Sequence, residues 1–318
     1  MSRAFLIGAG ATYAVYPDAP LSNDFLEKLK RSEEGLRIYK ALEETASAKI
    51  PVEVARYDAR PFHEFNIEDL VILSESFPQS SKSKFLADLY SALYILIAES
   101  TQSTQRQMED AIAGRTVQEP HTLFHTLLTD PRFEPDDFFM TLNYDLYLDR
   151  EVIGTTGGID YGLPVTVAAQ RRGVPQIDKE RYSIYHLHGS LNWVRNAGKL
   201  DIYLGAQLPI VMVDGCNLCL EPPGRKKLNA TLAAVWGRAK ERLHEADELI
   251  IIGCSLNPRD EDLILLVEEY RTAGRGQKIK AIYKGDVDDP HFGRILKENR
   301  YNRGFDIESF EFIFKPTQ

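Results

Sequence analysis

The fold is decided at the N-terminus, where Ala4-Phe5-Leu6-Ile7 is followed by Gly8-Ala9-Gly10-Ala11-Thr12. A short apolar run that meets glycines predicts a buried strand and a turn, as at the start of a nucleotide-binding α/β unit. Two readings of the glycines stay open: a plain tight turn, or a loop whose backbone approaches a phosphate closely. The third glycine of the dinucleotide-binding pattern is absent, because Tyr13 stands at that position.

Similar apolar runs return only after Asp137. Because each is bounded by turn residues, we predict strands at 138–142, 182–187, 248–252, 280–283 and 310–314, with an amphipathic helix at 230–246. Near-continuously apolar strands that alternate with helices indicate a parallel sheet covered by helices on both faces. The predicted fold class is therefore α/β.

The intervening residues have helical rather than strand spacing. Apolar side chains recur every four positions from Phe85 to Ile97, which predicts a long helix that begins near Ser81 and packs through one face. We therefore predict an α/β domain of residues 1–30 and 137–318, interrupted by a helical insertion of residues 31–136.

Composition excludes several classes of protein. The chain has 318 residues, of which 43% are hydrophobic, enough for a full-sized core, and its net charge of −9 argues against nucleic acid as a direct partner. The longest apolar stretch, at 90–98, is about half of a membrane span. Three cysteines do not make a disulfide framework. We predict a soluble, cytoplasmic protein that does not bind membranes.

Polar clusters follow three of the predicted strands: Asn143-Tyr144-Asp145, His186-Leu187-His188-Gly189-Ser190 and Gly253-Cys254-Ser255. Because ligands bind at the carboxyl ends of parallel strands, these clusters should converge on one crevice. Asn143 and Asp145 either cap the next helix or face a ligand. His186 and His188 share a face of their strand, so we expect His188 to reach the crevice and His186 to pack below it.

In chain order, the segments 8–12, 142–145 (Leu-Asn-Tyr-Asp), 186–190 and 252–256 (Ile-Gly-Cys-Ser-Leu) resemble the Sir2 superfamily. The matching sirtuin elements are a Gly-Ala-Gly-[Ile/Ala]-Ser loop, Thr-Gln-Asn-Ile-Asp, Leu-His-Gly and Gly-Thr-Ser-Leu. The version here is similar to the bacterial Sir2-like branch, which includes NAD-consuming effectors of antiphage defence. The four motifs extend over about three quarters of the chain.

The resemblance implies a Rossmann-like fold that binds NAD⁺ as a substrate. His188 would be the base, acting on water or on a ribose hydroxyl, and Asn143 would orient the water and the ribose. Asp145 would either hydrogen-bond the nicotinamide amide or only cap its helix. The residues expected to line the rest of NAD⁺ are Gly8, Ala9, Gly10, Ala11, Thr12, Asp18, Gly189, Gly253 and Ser255.

Two departures from sirtuins shape the expected activity. The sirtuin zinc ribbon needs two Cys-x-x-Cys pairs, whereas this chain has Cys216 and Cys219 plus an isolated Cys254, so we expect no metal. Sirtuins also continue their first loop with Ile-Pro-Asp-Phe-Arg, while residues 16–20 read Tyr-Pro-Asp-Ala-Pro and lose the Phe-Arg. Both departures disfavour protein deacylation and fit hydrolysis of NAD⁺ better.

The predicted function is an NAD⁺ glycohydrolase that releases nicotinamide and ADP-ribose, as the NAD-depleting effector of an antiphage defence system. The alternatives are an NAD-dependent deacylase or ADP-ribosyltransferase, and a non-catalytic sensor of NAD or ADP-ribose. Because unrestrained NAD⁺ hydrolysis harms the host cell, we expect control by assembly. The expected partners are further copies of the chain in a homo-oligomer, or a separately encoded defence protein such as an ATPase.

Overall fold

The computed structural model shows an α/β protein built on a seven-stranded parallel sheet. The residues that the structure describes are 2–15, 19, 24–49, 61–74, 76–112, 123–156, 159–163, 182–196, 199–202, 216–220, 230–254, 256, 260–273, 278–283 and 305–309. The strands of the large sheet are β1 (Arg3–Ile7), β2 (Phe138–Thr141), β3 (Ile159–Asp160), β4 (Tyr182–His186), β8 (Glu248–Ile252), β9 (Lys278–Tyr283) and β10 (Phe305–Ser309). Their spatial order is β10-β9-β8-β1-β2-β4-β3, and every pairing is parallel.

Both faces of the central strands are buried. All residues of β2 and β8 are buried, as are the last four of β1. Because successive strand residues point to opposite faces, this burial requires cover on both sides of the sheet. The core around these strands includes side chains of four helices: α6 (Leu123–Thr129), α7 (Tyr147–Thr156), α8 (Ala230–Glu245) and α9 (Glu261–Thr272). The prediction of an α/β parallel sheet with helices on both faces is confirmed.

Several predicted elements have nearly the bounds that the sequence suggests. Strand β8 coincides with the predicted 248–252, and β2 and β4 each end one residue earlier than predicted. Helix α1 (Ala9–Val15) begins directly after Gly8, so Ala9 to Thr12 form a helical turn rather than an open loop. The last predicted strand, 310–314, lies outside the described residues, and β10 instead occupies 305–309.

The structure also contains a second, antiparallel sheet that was not predicted from the sequence. It consists of β5 (Gly189–Asn196), β6 (Lys199–Ile202) and β7 (Cys216–Leu220) in the order β6-β5-β7. Trp193 on β5 is fully buried in the core of the large sheet, so the small sheet is packed against it. Only two residues, Leu187 and His188, separate β4 from β5.

Four of the helices between β1 and β2 form a second apolar core. Side chains of α2 (Phe25–Leu29), α3 (Glu33–Lys49), α4 (Ile67–Ser74) and α5 (Gln79–Ile112) share one buried cluster, which also contains Tyr144 and Leu146. A short 3₁₀ turn, Phe62–Glu64, flanks it. Helix α2 thus packs with the helical core, whereas α6 packs with the sheet. The division at residues 30 and 137 stays a prediction.

Candidate functional site

The predicted clusters meet at the carboxyl edge of the large sheet. Hydrogen bonds continue the strand ladder past its ends: Leu142 donates its N–H to the carbonyl of Ile7 at 3.0 Å, and Leu187 donates to Thr141 at 2.9 Å. On the other side of β1, Gly8 donates to the carbonyl of Ile252 at 2.9 Å. The segments that follow β1, β2, β4 and β8 therefore begin side by side, as the parallel topology predicts.

The glycines after β1 and β8 allow two backbones to approach closely. A Cβ atom on Gly8 would lie 2.5 Å from the carbonyl oxygen of Gly253, and one on Gly253 would lie 2.1 Å from the Ala11 nitrogen. Gly253 also has a φ of +59°, which favours glycine. The N–H of Gly10 donates to the Gly253 carbonyl at 2.9 Å. This contact explains the glycines without a phosphate, so their role toward a ligand stays a prediction.

Asn143 is a buried link between the first two motifs. Its Nδ2 donates to the Thr12 hydroxyl at 2.8 Å and to the Gly8 carbonyl at 3.2 Å. Its Oδ1 is buried and has no hydrogen-bond partner among the described residues. A buried amide oxygen without a partner is costly, and the cost is relieved if a ligand or water donates to it.

Asp145 accepts two hydrogen bonds within the protein. Its Oδ2 accepts from the Thr12 hydroxyl at 3.1 Å, and its Oδ1 accepts from the N–H of Tyr147, the first residue of α7, also at 3.1 Å. The helix-capping reading is thus present in the structure, and the reading as a nicotinamide contact stays a prediction. Burial raises the pKa of the Asp145 carboxyl to about 6, although both hydrogen bonds lower it.

His186 lies beneath the crevice and is fully buried. Its Nε2 lies 3.1 Å from each carboxylate oxygen of Asp149, and its Nδ1 lies 3.2 Å from the Asn143 carbonyl. Tyr161 donates its hydroxyl to the same Asp149 carboxylate at 2.6 Å. Burial lowers the pKa of an imidazole, but the Asp149 carboxylate, the Asn143 carbonyl and the charge of Asp145 together outweigh this and raise the pKa of His186. Both ring nitrogens face acceptors, so the imidazolium fits this position.

His188 lies in the turn between β4 and β5 and is buried. Its Nε2 is 3.1 Å from Oδ2 of Asp260, at the distance of an ion pair but without the alignment of a hydrogen bond. The ring of Tyr144 lies 6.3 Å away, centroid to centroid. Gly189, the next residue, has a φ of +87°, which favours glycine at this turn.

The remaining predicted site residues are only partly placed. Asp18 and Ser255 lie outside the described residues. Leu256, which follows Ser255, is buried with a φ of +48°, a left-handed conformation that is rare for leucine. Such strain persists only where packing holds it, and here the side chain lies in the core around the sheet.

Sequence reasoning missed two acidic residues, Asp149 and Asp260, one beside each histidine. Asp149 lies inside a helix, where nothing in the local pattern links it to a strand 37 residues later. The capping role of Asp260 could have been predicted from the sequence, because an aspartate before acidic residues and an apolar run is a typical helix N-cap. The position of that cap beside His188 needed the fold.

Among the described residues, no group of three or more histidine, cysteine, aspartate or glutamate side chains is arranged to hold a metal ion. Cys216 and Cys219 both lie on β7, and the structure describes the backbone of this strand but not its side chains. The expected absence of a zinc site therefore stays a prediction. Within the described part of the chain, no helix has both the length and the apolar character that crossing a membrane requires.

No protein-family model matches the chain, and no curated protein matches its sequence. Solved structures similar to it include Sir2 proteins. One is a Sir2 homolog in complex with NAD, at 15% identity over 90% of this chain and 80% of that chain, with a TM-score of 0.38. A Sir2 complex with a p53 peptide and NAD⁺ is 14% identical, over 93% and 92%, with a TM-score of 0.38. A third, solved for the mechanism and regulation of Sir2 enzymes, is 14% identical, over 93% and 90%, with a TM-score of 0.37.

Proposed function

We propose that this chain cleaves NAD⁺ between nicotinamide and ribose and releases nicotinamide and ADP-ribose. The observation that carries the proposal is that the motifs resembling Sir2 are joined by hydrogen bonds. Asn143 bonds to the segment after β1, Gly10 bonds to Gly253 after β8, and the ring of His186 contacts the Asn143 carbonyl. Motifs that are far apart in the sequence are therefore in contact in the folded chain.

Cleavage of this bond does not need a general acid to protonate the leaving group, but it does need the substrate to be held in a defined orientation. Nicotinamide leaves as a neutral molecule, and positive charge develops at ribose C1′ as the bond breaks. The protein must therefore hold the ribose, stabilise that charge and place a nucleophile. Atoms balance with one water: its oxygen bonds to C1′, one proton stays on ADP-ribose, and the other is released.

Each site residue has a defined part in this proposal. His188 acts as base toward water or a ribose hydroxyl. Asn143 uses its unpartnered Oδ1 to accept a hydrogen bond from that water or hydroxyl. Asp145 either contacts the nicotinamide amide or only caps its helix. Residues 8–12, Asp18, Gly189, Gly253 and Ser255 line the rest of the dinucleotide.

The biological setting is part of the same proposal and rests on the sequence resemblance. The chain would be a cytoplasmic, NAD-depleting effector of antiphage defence, without the sirtuin zinc ribbon. Assembly into a homo-oligomer, or with a separately encoded partner such as an ATPase, would control it. The helical insertion of residues 31–136 would supply the contact surface, because its helices α3, α4 and α5 share, with α2, a core separate from the one around the sheet.

One assay tests the activity. Purified protein is incubated with NAD⁺, with and without an acetylated peptide, over a range of protein concentrations, and nicotinamide release is followed by chromatography. We expect release that needs no peptide. Release only with peptide would support the deacylase or transferase, and tight binding of NAD⁺ without release would support the sensor; either result contradicts the proposal.

The matched variants are His188→Gln and His125→Gln. His125 lies on α6, where its Nδ1 is 3.6 Å from a carboxylate oxygen of Glu151, away from the crevice. We expect His188→Gln to lose nicotinamide release and His125→Gln to retain it. Equal loss in both variants would show that the assay reports general damage rather than a site.

A further inference from the structure

Asp260 contacts His188, but it has no role in the proposed reaction as described above. We propose that Asp260 is a positioning residue for the reaction: its carboxylate keeps the proton of neutral His188 on Nε2, so that Nδ1 is the basic nitrogen. This inference rests on the proposed function, because it assigns the orientation of the base in that site.

The geometry places the two groups together in a protected position. Oδ2 of Asp260 is 3.1 Å from Nε2 of His188, and the two side chains are only 6% and 8% exposed. The two residues belong to distant segments of the chain, since His188 follows β4 and Asp260 precedes α9. A buried carboxylate is costly unless a donor or cation lies beside it, and the Nε2 atom of His188 lies at ion-pair distance from Asp260.

A helix cap alone does not account for this arrangement. Asp260 is the N-cap of α9, where Oδ1 accepts from the N–H of Leu263 at 3.4 Å. That task uses one oxygen, and serine or asparagine performs it equally well. The second oxygen lies at His188 instead. An aspartate is therefore needed for the histidine contact and not for the cap.

The consequence for His188 follows from electrostatics. An acceptor beside one ring nitrogen favours the tautomer with the proton on that nitrogen, which leaves the other nitrogen free to take a proton. If the base forms an imidazolium during the reaction, the Asp260 carboxylate also stabilises that cation. Asparagine at position 260 would offer an N–H to Nε2 and favour the opposite tautomer.

The kinetic test compares Asp260→Asn and Asp260→Ser with Asp262→Asn. The first two keep a side chain that caps α9, and the third removes a nearby, exposed carboxylate that interacts with His188 only through its charge and not in an ion pair. We expect Asp260→Asn to lower kcat by roughly 10²-fold or more, with KM for NAD⁺ and Tm nearly unchanged. Asp262→Asn should stay within about twofold of the original kcat.

A double-mutant cycle separates positioning from an independent effect. The cycle is measured on the residual turnover that the site keeps without its base: if Asp260 acts through His188, adding Asp260→Asn to His188→Gln does not lower that residual kcat further. Independent, multiplicative losses would contradict the proposal. A parallel fall of Tm and kcat in both Asp260 variants would also contradict it, because that pattern belongs to a structural cap.

A second readout does not depend on activity. Protein with ¹⁵N-labelled histidine is examined by NMR above the pH at which its imidazoles are neutral, and the His188 signals are assigned by their absence from His188→Gln. We expect protonated Nε2 in the original chain and a shift toward protonated Nδ1 in Asp260→Asn. Protonated Nδ1 in the original chain, or the same pattern in both, would overturn the inference. Absence of nicotinamide release from the original chain would instead contradict the proposed function.

Discussion

His186 and Asp149 form a fully buried ion pair beneath the crevice, with Nε2 of the histidine 3.1 Å from both oxygens of the aspartate. The pair ties β4 to α7, and the other ring nitrogen contacts the carbonyl of Asn143. His186 thus holds the backbone from which Asn143 projects, while its neighbour His188 contacts a different aspartate. The two histidines thus make separate contacts, His186 with Asp149 and His188 with Asp260. We therefore expect variants of the two histidines to differ in stability and in activity.

We expect His186→Ala to lower the free energy of unfolding by about 3–5 kcal/mol, because it leaves the Asp149 carboxylate buried without its cation. His188→Gln should cost far less stability and remove NAD⁺ cleavage. Urea denaturation and nicotinamide release, measured on both variants, check this. A folded His186→Ala without turnover, alongside an active His188→Gln, would reverse the assignment.

Asp145 should make the stability of the protein depend on pH. Its pKa is about 6 in the folded protein and about 4 when unfolded, so the folded state binds more protons between these values. The stabilisation is complete below pH 4 and is lost as the pH rises through 6, by about 3 kcal/mol at most.

The variant Asp145→Asn should remove this component, so that its free energy of unfolding changes less between pH 5 and pH 7.5. The raised pKa of His186 acts in the same direction, and because the Asp145 charge contributes to that rise, Asp145→Asn also reduces the His186 component. Denaturation curves at several pH values decide the matter. Parallel pH profiles for the two proteins would show that Asp145 does not titrate in this range.

Two glycines make a matched pair for stability. We expect Gly253→Ala to destabilise the fold by at least about 2 kcal/mol, because φ is positive there and the added Cβ meets the Ala11 nitrogen at 2.1 Å. Gly237→Ala, inside α8 with nothing within 4 Å, should stabilise it by about 1 kcal/mol. Thermal unfolding of both variants checks the pair. Equal Tm values would mean that the close approach is absent in solution.

We expect Asn143→Ala to reduce turnover by roughly 10²-fold, because an orienting polar group is lost from a preorganised site. Thr12→Val is the control for anchoring, since it removes the hydroxyl that Asn143 and Asp145 share while keeping the shape. It should cost about 1–2 kcal/mol of stability and less activity than Asn143→Ala. Unchanged turnover in Asn143→Ala would reduce residues 143–145 to a helix cap.

Metal analysis of the purified protein should find no stoichiometric zinc. The sequence contains Cys216 and Cys219 but only one further cysteine, so the four thiolates of a structural site are missing. One tightly bound zinc per chain, retained through dialysis against a chelator, would contradict this and favour the deacylase alternative.

The parallel sheet was predictable because its central strands are apolar on both faces and are followed by glycines or by polar turn residues. Strand β8 could be read directly from Glu248 to Ile252. The small antiparallel sheet was not found, although Leu191 and Trp193 alternate with polar Asn192 in the sequence. That signal is short, and burial of Trp193 depends on packing against the large sheet rather than on its own strand.

The site was predictable in outline and not in its pairings. The order of strands along the chain indicates that residues 8–12, 143–145, 186–190 and 253–255 lie near one another. It does not indicate that Asn143 bonds to Thr12, or that each histidine contacts an aspartate. Those contacts join residues far apart in sequence, and they depend on the angles at which helices leave the sheet.

The meeting of Gly8, Gly10 and Gly253 restricts how this crevice can diversify. Where two main chains touch, no side chain fits, so this part of the proposed site, here called its floor, offers only peptide groups in fixed positions. Related chains that keep this floor would have to acquire new ligand preferences through side chains around it or through the lengths of the connecting segments. Selection acting on ligand preference would therefore alter the rim and leave the floor recognisable, even where the remaining sequence has diverged beyond comparison.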